Sequence, residues 1–149
     1  MKDIQFRQMI LGDIPTVLEI EKECFLSSWS FEAYRDELLR DDSKAIIAEN
    51  KGKIAGFIAA RLITSANEGE ILNIAVRRQF QKQGIGTILL KEIIDFFKSN
   101  AVQSVWLEVR KSNFPARDFY RQNEFAFCGE RKNFYTSPTE DALVMKLNL

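Results

Sequence analysis

The chain has 149 residues, of which 46% are hydrophobic and 28% are charged, and this balance suits one compact soluble domain spanning residues 1–149. Twenty-one basic residues balance twenty-one acidic residues, so the basic excess of a general nucleic-acid or membrane binder is absent. The sequence contains no histidine, which excludes Ser-His-Asp and Cys-His catalysis and most zinc sites. We therefore expect no metal, no membrane association and no direct nucleic-acid partner.

Cysteine usage and the lack of targeting segments indicate the compartment. Cys24 and Cys128 are far apart and lack metal-ligand spacing, so we expect both to be small buried hydrophobic side chains in a reducing compartment. No stretch approaches the roughly 18 apolar residues of a membrane span, and the N-terminus lacks the apolar run of a signal peptide. We expect a cytoplasmic protein.

The first third of the chain predicts one strand followed by two helices. Apolar residues alternate with polar ones over residues 4–6, which is typical of a strand. Asp13 stands in an N-cap position ahead of Pro15, and Ser30 can cap a second helix. The inner face of that second helix is predicted to consist of Phe31, Tyr34 and Leu38.

The rest of the chain alternates strands and helices. The predicted elements are a hairpin of residues 45–49 and 54–64, a strand 70–76, a helix 84–100, a strand 102–109, a helix 116–122 and a last hairpin of residues 125–134 and 142–147. The order βααβββαβαββ places a helix between two neighbouring strands, which implies a parallel pair within a mixed sheet. The predicted fold class is α/β (α+β).

A glycine-containing turn joins the strand 70–76 to the helix 84–100. It reads Gln-Lys-Gln-Gly-Ile-Gly over residues 81–86, where backbone N–H groups and the positive end of the helix dipole can attract an anion such as pyrophosphate. The alternative is that these glycines serve only the turn. No Gly-Lys-Ser/Thr follows, so the turn is not a P-loop.

A carboxylate lies near the C-terminal end of the predicted strand 102–109. Alternation places Glu108 on one face with Trp106 and Arg110, at the edge where open α/β sheets bind ligands. The alternative is a solvated or salt-bridged glutamate. Two interpretations also apply to Tyr120 in the following helix, which is either a site residue or a core aromatic.

These segments resemble a known superfamily. The strand 71–76, the Gln-x-x-Gly-x-Gly turn, Leu-Glu-Val-Arg-x-Ser-Asn (107–113) and Phe-Tyr (119–120) look like the GNAT acyl-CoA N-acyltransferases. Four segments further resemble the bacterial ribosomal-protein-alanine N-acetyltransferases within it: FLSSWSF (25–31), WLEVRKSN (106–113), RKNFY (131–135) and EDALVM (140–145). The resemblance covers nearly the whole chain.

The resemblance implies a fold and a cosubstrate. It implies a GNAT fold, with a mixed seven-stranded sheet, about four helices and a splay between strands 70–76 and 102–109 that admits the pantetheine arm of acetyl-CoA. The backbone of Ile74, Ala75 and Val76 would bind that arm. The pyrophosphate would be held by Lys82, Gln83, Gly84, Ile85, Gly86 and Thr87. Asn113 would hydrogen-bond the cosubstrate near the pantetheine.

The resemblance also implies catalytic and substrate-binding residues. Glu108 matches the family's general base and Tyr120 its general acid, in a direct attack on the thioester with no metal and no covalent enzyme intermediate. Glu70 is a second candidate for the base, or helps to bind the substrate's amino group. Trp29 and Tyr135 are candidates for lining the peptide entrance.

The expected reaction is transfer of acetyl to an N-terminal α-amine, of alanine in a small-subunit ribosomal protein. An α-amino group has a pKa near ~8 and a lysine one near ~10.4, so a carboxylate deprotonates the former more easily. One alternative is a GNAT enzyme acting on a small amine or a protein lysine. Another is a non-catalytic acyl-CoA-binding module, against which the presence of both Glu108 and Tyr120 argues. The oligomeric state is left open.

Two segments depart from the family pattern. Ser28 stands where proline commonly precedes Trp-Ser, and Asn123-Glu124-Phe125 stands where Leu-Gly-Phe is usual. Either Glu124 or Asn123 must then adopt a turn conformation that glycine makes easily.

Overall fold

The computed structural model describes residues 3–149 and confirms the predicted order of strands and helices. The strands are β1 (Ile4–Gln8), β2 (Ser43–Asn50), β3 (Lys53–Ile63), β4 (Glu68–Val76), β5 (Ser104–Arg110), β6 (Ala126–Tyr135) and β7 (Glu140–Asn148). The helices are α1 (Ile14–Cys24), α2 (Phe31–Leu38), α3 (Ile85–Ser99) and α4 (Phe114–Gln122). No helix among residues 3–149 is long and apolar enough to cross a membrane.

All seven strands form one mixed sheet in the order β1-β2-β3-β4-β5-β7-β6. Every neighbouring pair is antiparallel except β4 and β5, which are parallel. The parallel pairing extends only from Glu68 opposite Ser104 to Glu70 opposite Trp106. Beyond these three pairs the two strands diverge, which confirms the predicted splay.

The sheet separates two apolar layers, because β3 is buried on both faces. Phe57 and Ala59 pack towards the layer that contains residues of α1 and α2, whereas Ile58 and Ala60 pack towards the layer of α3 and α4. A strand with helices on both sides has no solvent face, which explains the nearly continuous hydrophobic run of β3. The sheet is thus packed on both faces around β3, next to β4 and β5.

Helix α3 is fixed against the start of β4 by a close contact. Gly69 lies where an added Cβ would come within 2.5 Å of the Phe97 ring, so the ring occupies the space of a side chain. Phe97 is fully buried and lies on the apolar face of α3. This contact sits at the three residue pairs that join β4 to β5, so α3 supports the sheet just before the strands diverge.

Three local predictions are wrong. Phe31 is 40% exposed, because α2 is rotated so that Glu37, paired with Arg61, occupies the inner face instead. Asp13 precedes α1 but does not cap it, since its carboxylate accepts hydrogen bonds from the Arg7 guanidinium and the Ile10 backbone N–H.

The third concerns the cysteines. Cys128 is exposed and Cys24 is only partly buried. Cys128 lies on β6, which is the last strand of the sheet and is exposed at every residue before Tyr135. An edge strand outside the helical layers has no covered face, so a small apolar residue there is not buried.

In the turn after α4, one of two residues must adopt the backbone conformation that the usual glycine makes easily. Glu124 adopts the left-handed conformation with φ of 72°, whereas Asn123 has φ of −99°. The Phe125 N–H donates to the Tyr120 carbonyl at 3.0 Å, which closes the turn and buries Phe125 in the core. Glu124 therefore carries a backbone cost that glycine would avoid.

Glu124→Gly is expected to raise the free energy of unfolding by about 0.5 to 1 kcal/mol, since relief of the left-handed strain outweighs the entropy of the unfolded glycine chain. Urea denaturation measures this change. Glu124→Ala is the matched control, because it removes the same carboxylate but keeps the strain. Equal stabilisation by both variants would show that the side chain, and not the backbone, is responsible.

Candidate active site

The gap between β4 and β5 exposes one edge of β4. Ile74, Ala75 and Val76 pair with β3 on their other side, opposite Ile58, Phe57 and Gly56. Backbone N–H and C=O groups of a strand point alternately to its two edges, so part of this segment faces the gap. A shift of register between Ala59 and Ala60 places a bulge in the pairing just before it. This free edge can bind an extended chain as an added strand.

The predicted anion-binding turn lies at the end of this free edge. The Gln81 side-chain amide donates to the Val76 carbonyl at 2.8 Å and holds the turn against β4. Lys82 and Gly84 have φ of 62° and 83°, and Gly84 precedes the first residue of α3. First-turn amides of a helix have no intrahelical acceptor. The segment 82–87 therefore presents backbone donors and the positive end of a helix dipole.

Helix α4 borders the same end of the gap. Gly86 packs against α4, since its added Cβ would lie 3.5 Å from the Phe119 ring. Asn113 caps α4, and its Oδ1 accepts from the Ala116 N–H at 3.3 Å. This capping role was not predicted from the sequence; it leaves the Asn113 Nδ2 group as the part of the side chain that can donate to a ligand.

Two carboxylates flank the point where β4 and β5 part. Glu70 lies opposite Trp106 in the last pair that joins the strands, and Glu108 lies two residues further along β5. Burial and, next, the nearby charge of Glu108 raise the pKa of Glu70, and the Arg61 cation opposes them. The Glu108 carboxylate is paired with the Arg131 guanidinium at 3.4 Å, and its side chain is 24% exposed. Either carboxylate can accept a proton from a group inside the gap.

Tyr120 approaches the gap from the opposite face of the sheet. Its ring packs in the layer of α3 and α4, between Phe119 and Phe125, with ring centroids at 5.4 and 5.6 Å. Burial raises the pKa of Tyr120, and Tyr135 adds to the shift. The phenol is thus protonated at neutral pH and can donate a proton. Tyr120 is only 6% exposed and belongs to the buried apolar cluster of this layer.

Trp29 and Tyr135 lie in the two segments beside the carboxylates. Trp29, between α1 and α2, lines an open pocket of 440 Å³ and packs on Tyr34 with a centroid distance of 4.9 Å. Tyr135, at the end of β6, stacks its ring 4.5 Å from the Arg110 guanidinium. Burial raises the pKa of Tyr135 to about 12, with a further contribution from Glu108. Tyr135 therefore lies against Arg110, which is two residues after Glu108 on β5.

Glu21, which has no role predicted from the sequence, is completely buried in α1. Its carboxylate accepts hydrogen bonds from the Asn73 side chain at 2.8 Å, the Tyr34 hydroxyl at 3.0 Å and the Trp29 backbone N–H at 3.2 Å. All three donors are neutral, and burial raises the pKa of Glu21 to about 7. The signal in the sequence is a glutamate at helical spacing from Ile14 and Val17, but its partners are too distant in the chain to be predicted.

The chain is similar in sequence and in structure to known acetyltransferases. The profile of the Acetyltransferase (GNAT) family matches residues 14–125. The ribosomal protein bS18-alanine N-acetyltransferase of Escherichia coli K12 is 32% identical over 137 residues, which cover 91% of this chain and 90% of the relative. The enzyme of the same name from Haemophilus influenzae is 35% identical over 136 residues, which cover 89% of this chain and 90% of the relative. The crystal structure of the Escherichia coli enzyme superposes with a TM-score of 0.86 at 29% identity, over 97% of this chain and 93% of that one. The family resemblance seen in the sequence is confirmed.

The buried Glu21 carboxyl predicts an unusual dependence of stability on pH. Its pKa is about 7 in the folded chain and near 4.5 in the unfolded one, so between these values the folded state holds more of the proton. The free energy of unfolding of the wild type, relative to Glu21→Gln, is expected to fall by about 3 kcal/mol as pH rises from 4 to 8. Denaturation at several pH values measures this difference, in which other titrating groups cancel.

Glu19→Gln provides the matched control, because Glu19 lies on the same helix with its side chain 70% exposed. A fall of the same size at this exposed position would show that the burial of Glu21 is not the cause. A constant difference for Glu21→Gln would show that the Glu21 carboxyl titrates normally.

Proposed function

Because the chain belongs to the GNAT acetyltransferase family, we propose that it transfers the acetyl group of acetyl-CoA to the N-terminal α-amine of alanine in a small-subunit ribosomal protein. The observation that carries the proposal is the gap between β4 and β5, which has an anion-binding turn at one end and two carboxylates at the other. The names of the relatives support the choice of a ribosomal protein and of alanine.

In this proposal acetyl-CoA occupies the gap. The pantetheine arm pairs with the free edge of β4 at Ile74, Ala75 and Val76, and the pyrophosphate accepts hydrogen bonds from the backbone of residues 82–87. Asn113 Nδ2 donates to the arm from the other side. The thioester then lies where β4 and β5 part, next to Glu70 and Glu108.

The two carboxylates and Tyr120 supply the proton transfers. Glu108 takes a proton from the incoming ammonium, directly or through a water molecule, and the neutral amine attacks the thioester carbonyl. Backbone N–H groups near the β4 bulge stabilise the oxyanion. The C–S bond then breaks, and Tyr120 donates its proton to the departing CoA thiolate. The amide nitrogen loses its second proton through water, which reprotonates the Tyr120 phenolate, and Glu108 releases its proton to solvent. Glu70 helps to hold the amino group in place.

Peptide substrates test this function directly. A peptide that begins Ala-Arg is expected to release free CoA thiol from acetyl-CoA, and the same peptide with a blocked α-amine is expected to release none. Thiol release and mass spectrometry of the product measure this. Equal turnover of the blocked peptide would move the reaction to lysine. Absence of turnover, with acetyl-CoA still bound in calorimetry, would move it to a small amine.

Glu108→Gln is expected to keep acetyl-CoA binding but to lower turnover by about a hundredfold or more, since a general base contributes about 10² to 10⁴. Steady-state kinetics and calorimetry measure the two quantities. Glu70→Gln is the comparison, because this carboxylate lies at the same point of the gap, and we expect a smaller loss there. A larger loss for Glu70→Gln would assign the base to Glu70.

A further inference from the structure

Arg110 is a buried cation to which sequence analysis assigned no role. It is the last residue of β5, lies two positions after Glu108 on the same strand face, and is 8% exposed. The guanidinium donates to Pro138 O at 2.9 Å, Thr136 O at 3.1 Å, Ser27 Oγ at 3.2 Å and Glu140 Oε1 at 3.3 Å. One face of it is covered by the Tyr135 ring.

The partners of Arg110 come from two separate segments of the chain. Ser27 lies between α1 and α2 in the segment 25–30, which also contains Trp29. Thr136 and Pro138 lie between β6 and β7 in the segment 136–139, directly after Tyr135. A single guanidinium therefore joins the segment that contains Trp29 to the segment that directly follows Tyr135.

This set of contacts requires an arginine. Three of the four acceptors are neutral oxygens in different directions, which a planar group with five N–H donors can reach together and a lysine ammonium cannot. The planar group also stacks on Tyr135, and the Glu140 carboxylate compensates its charge. The Glu140 carboxylate is itself held by the Ser112 N–H.

We propose that Arg110 is a positioning residue that sets the width of the peptide entrance by holding the segments 25–30 and 136–139 at a fixed separation. This inference rests on the proposed function. Without the guanidinium each segment moves independently, and the peptide has to order both when it binds. Acetyl-CoA is held by β4 and α3 instead, so its affinity does not depend on this contact.

Two variants separate the role of Arg110 from a general effect on folding. Ser27→Ala removes the contact with one segment and leaves the guanidinium in place, and Arg110→Lys weakens the contacts with both. We expect Ser27→Ala to raise the KM for the peptide about tenfold, as for one hydrogen bond to a charged group, and Arg110→Lys to raise it further. A tenfold rise in KM corresponds to about 1.4 kcal/mol. The KM for acetyl-CoA is expected to stay within about twofold in both variants.

Coupling between the two variants tests the physical contact. In the Arg110→Lys background, Ser27→Ala is expected to raise the KM for the peptide clearly less than it does in the wild type, because the contact with Ser27 is already weakened. Arg121→Lys is the matched control, since Arg121 is an exposed arginine on α4, and it is expected to leave both KM values unchanged. Additive effects, or equal rises of KM for both substrates, would overturn the proposal.

Hydrogen exchange gives a readout that needs no substrate. Arg110→Lys is expected to speed amide exchange in both segments, and Ser27→Ala only in residues 25–30. Unchanged exchange in both segments would overturn the role of Arg110. Failure of the wild type to acetylate the peptide would instead contradict the proposed function, and exchange would still decide whether Arg110 joins the two segments.

Discussion

The parallel pairing of β4 with β5 stops after three residue pairs, and the rest of the site depends on this early end. A longer ladder would occupy the backbone groups of residues 71–76 and close the gap. The strands are held together before the gap by α3, through the contact of Phe97 with Gly69, and each is anchored on its outer side by an antiparallel neighbour. The opening is therefore built into the sheet and does not need to form when a ligand arrives.

A buried carboxyl and a buried guanidinium hold the segment between α1 and α2. Glu21 accepts from the backbone of Trp29 on one side of that segment, and Arg110 donates to Ser27 on the other. Both side chains cost free energy to bury, and the hydrogen bonds that each makes offset part of that cost. In the proposed function they fix the shape of the peptide entrance. Because the loop is already ordered, peptide binding does not have to reduce the conformational entropy of the loop.

Local patterns predicted much of this molecule. Hydrophobic spacing gave the order of strands and helices, and the glycine turn was predicted from its place between a strand and a helix. Phe31 was misplaced because spacing does not reveal that Glu37 finds a partner in Arg61, 24 residues further along the chain. The roles of Glu21 and Arg110 depend on residues up to 83 positions away, so no local pattern contains them. The splay and the roles of Glu108, Tyr120 and Asn113 came from family resemblance, not from periodicity.

The positions of Glu108 and Tyr120 on opposite faces of the sheet have a kinetic consequence for the proposed reaction. In the proposed function the peptide would approach from the side of α1 and α2, whereas the cosubstrate would lie along β4 and the start of α3. Each product then leaves by its own route, without passing the other. Under this proposal both substrates would be bound together when the acetyl group is transferred. Accumulated CoA would compete with acetyl-CoA while leaving the peptide route open.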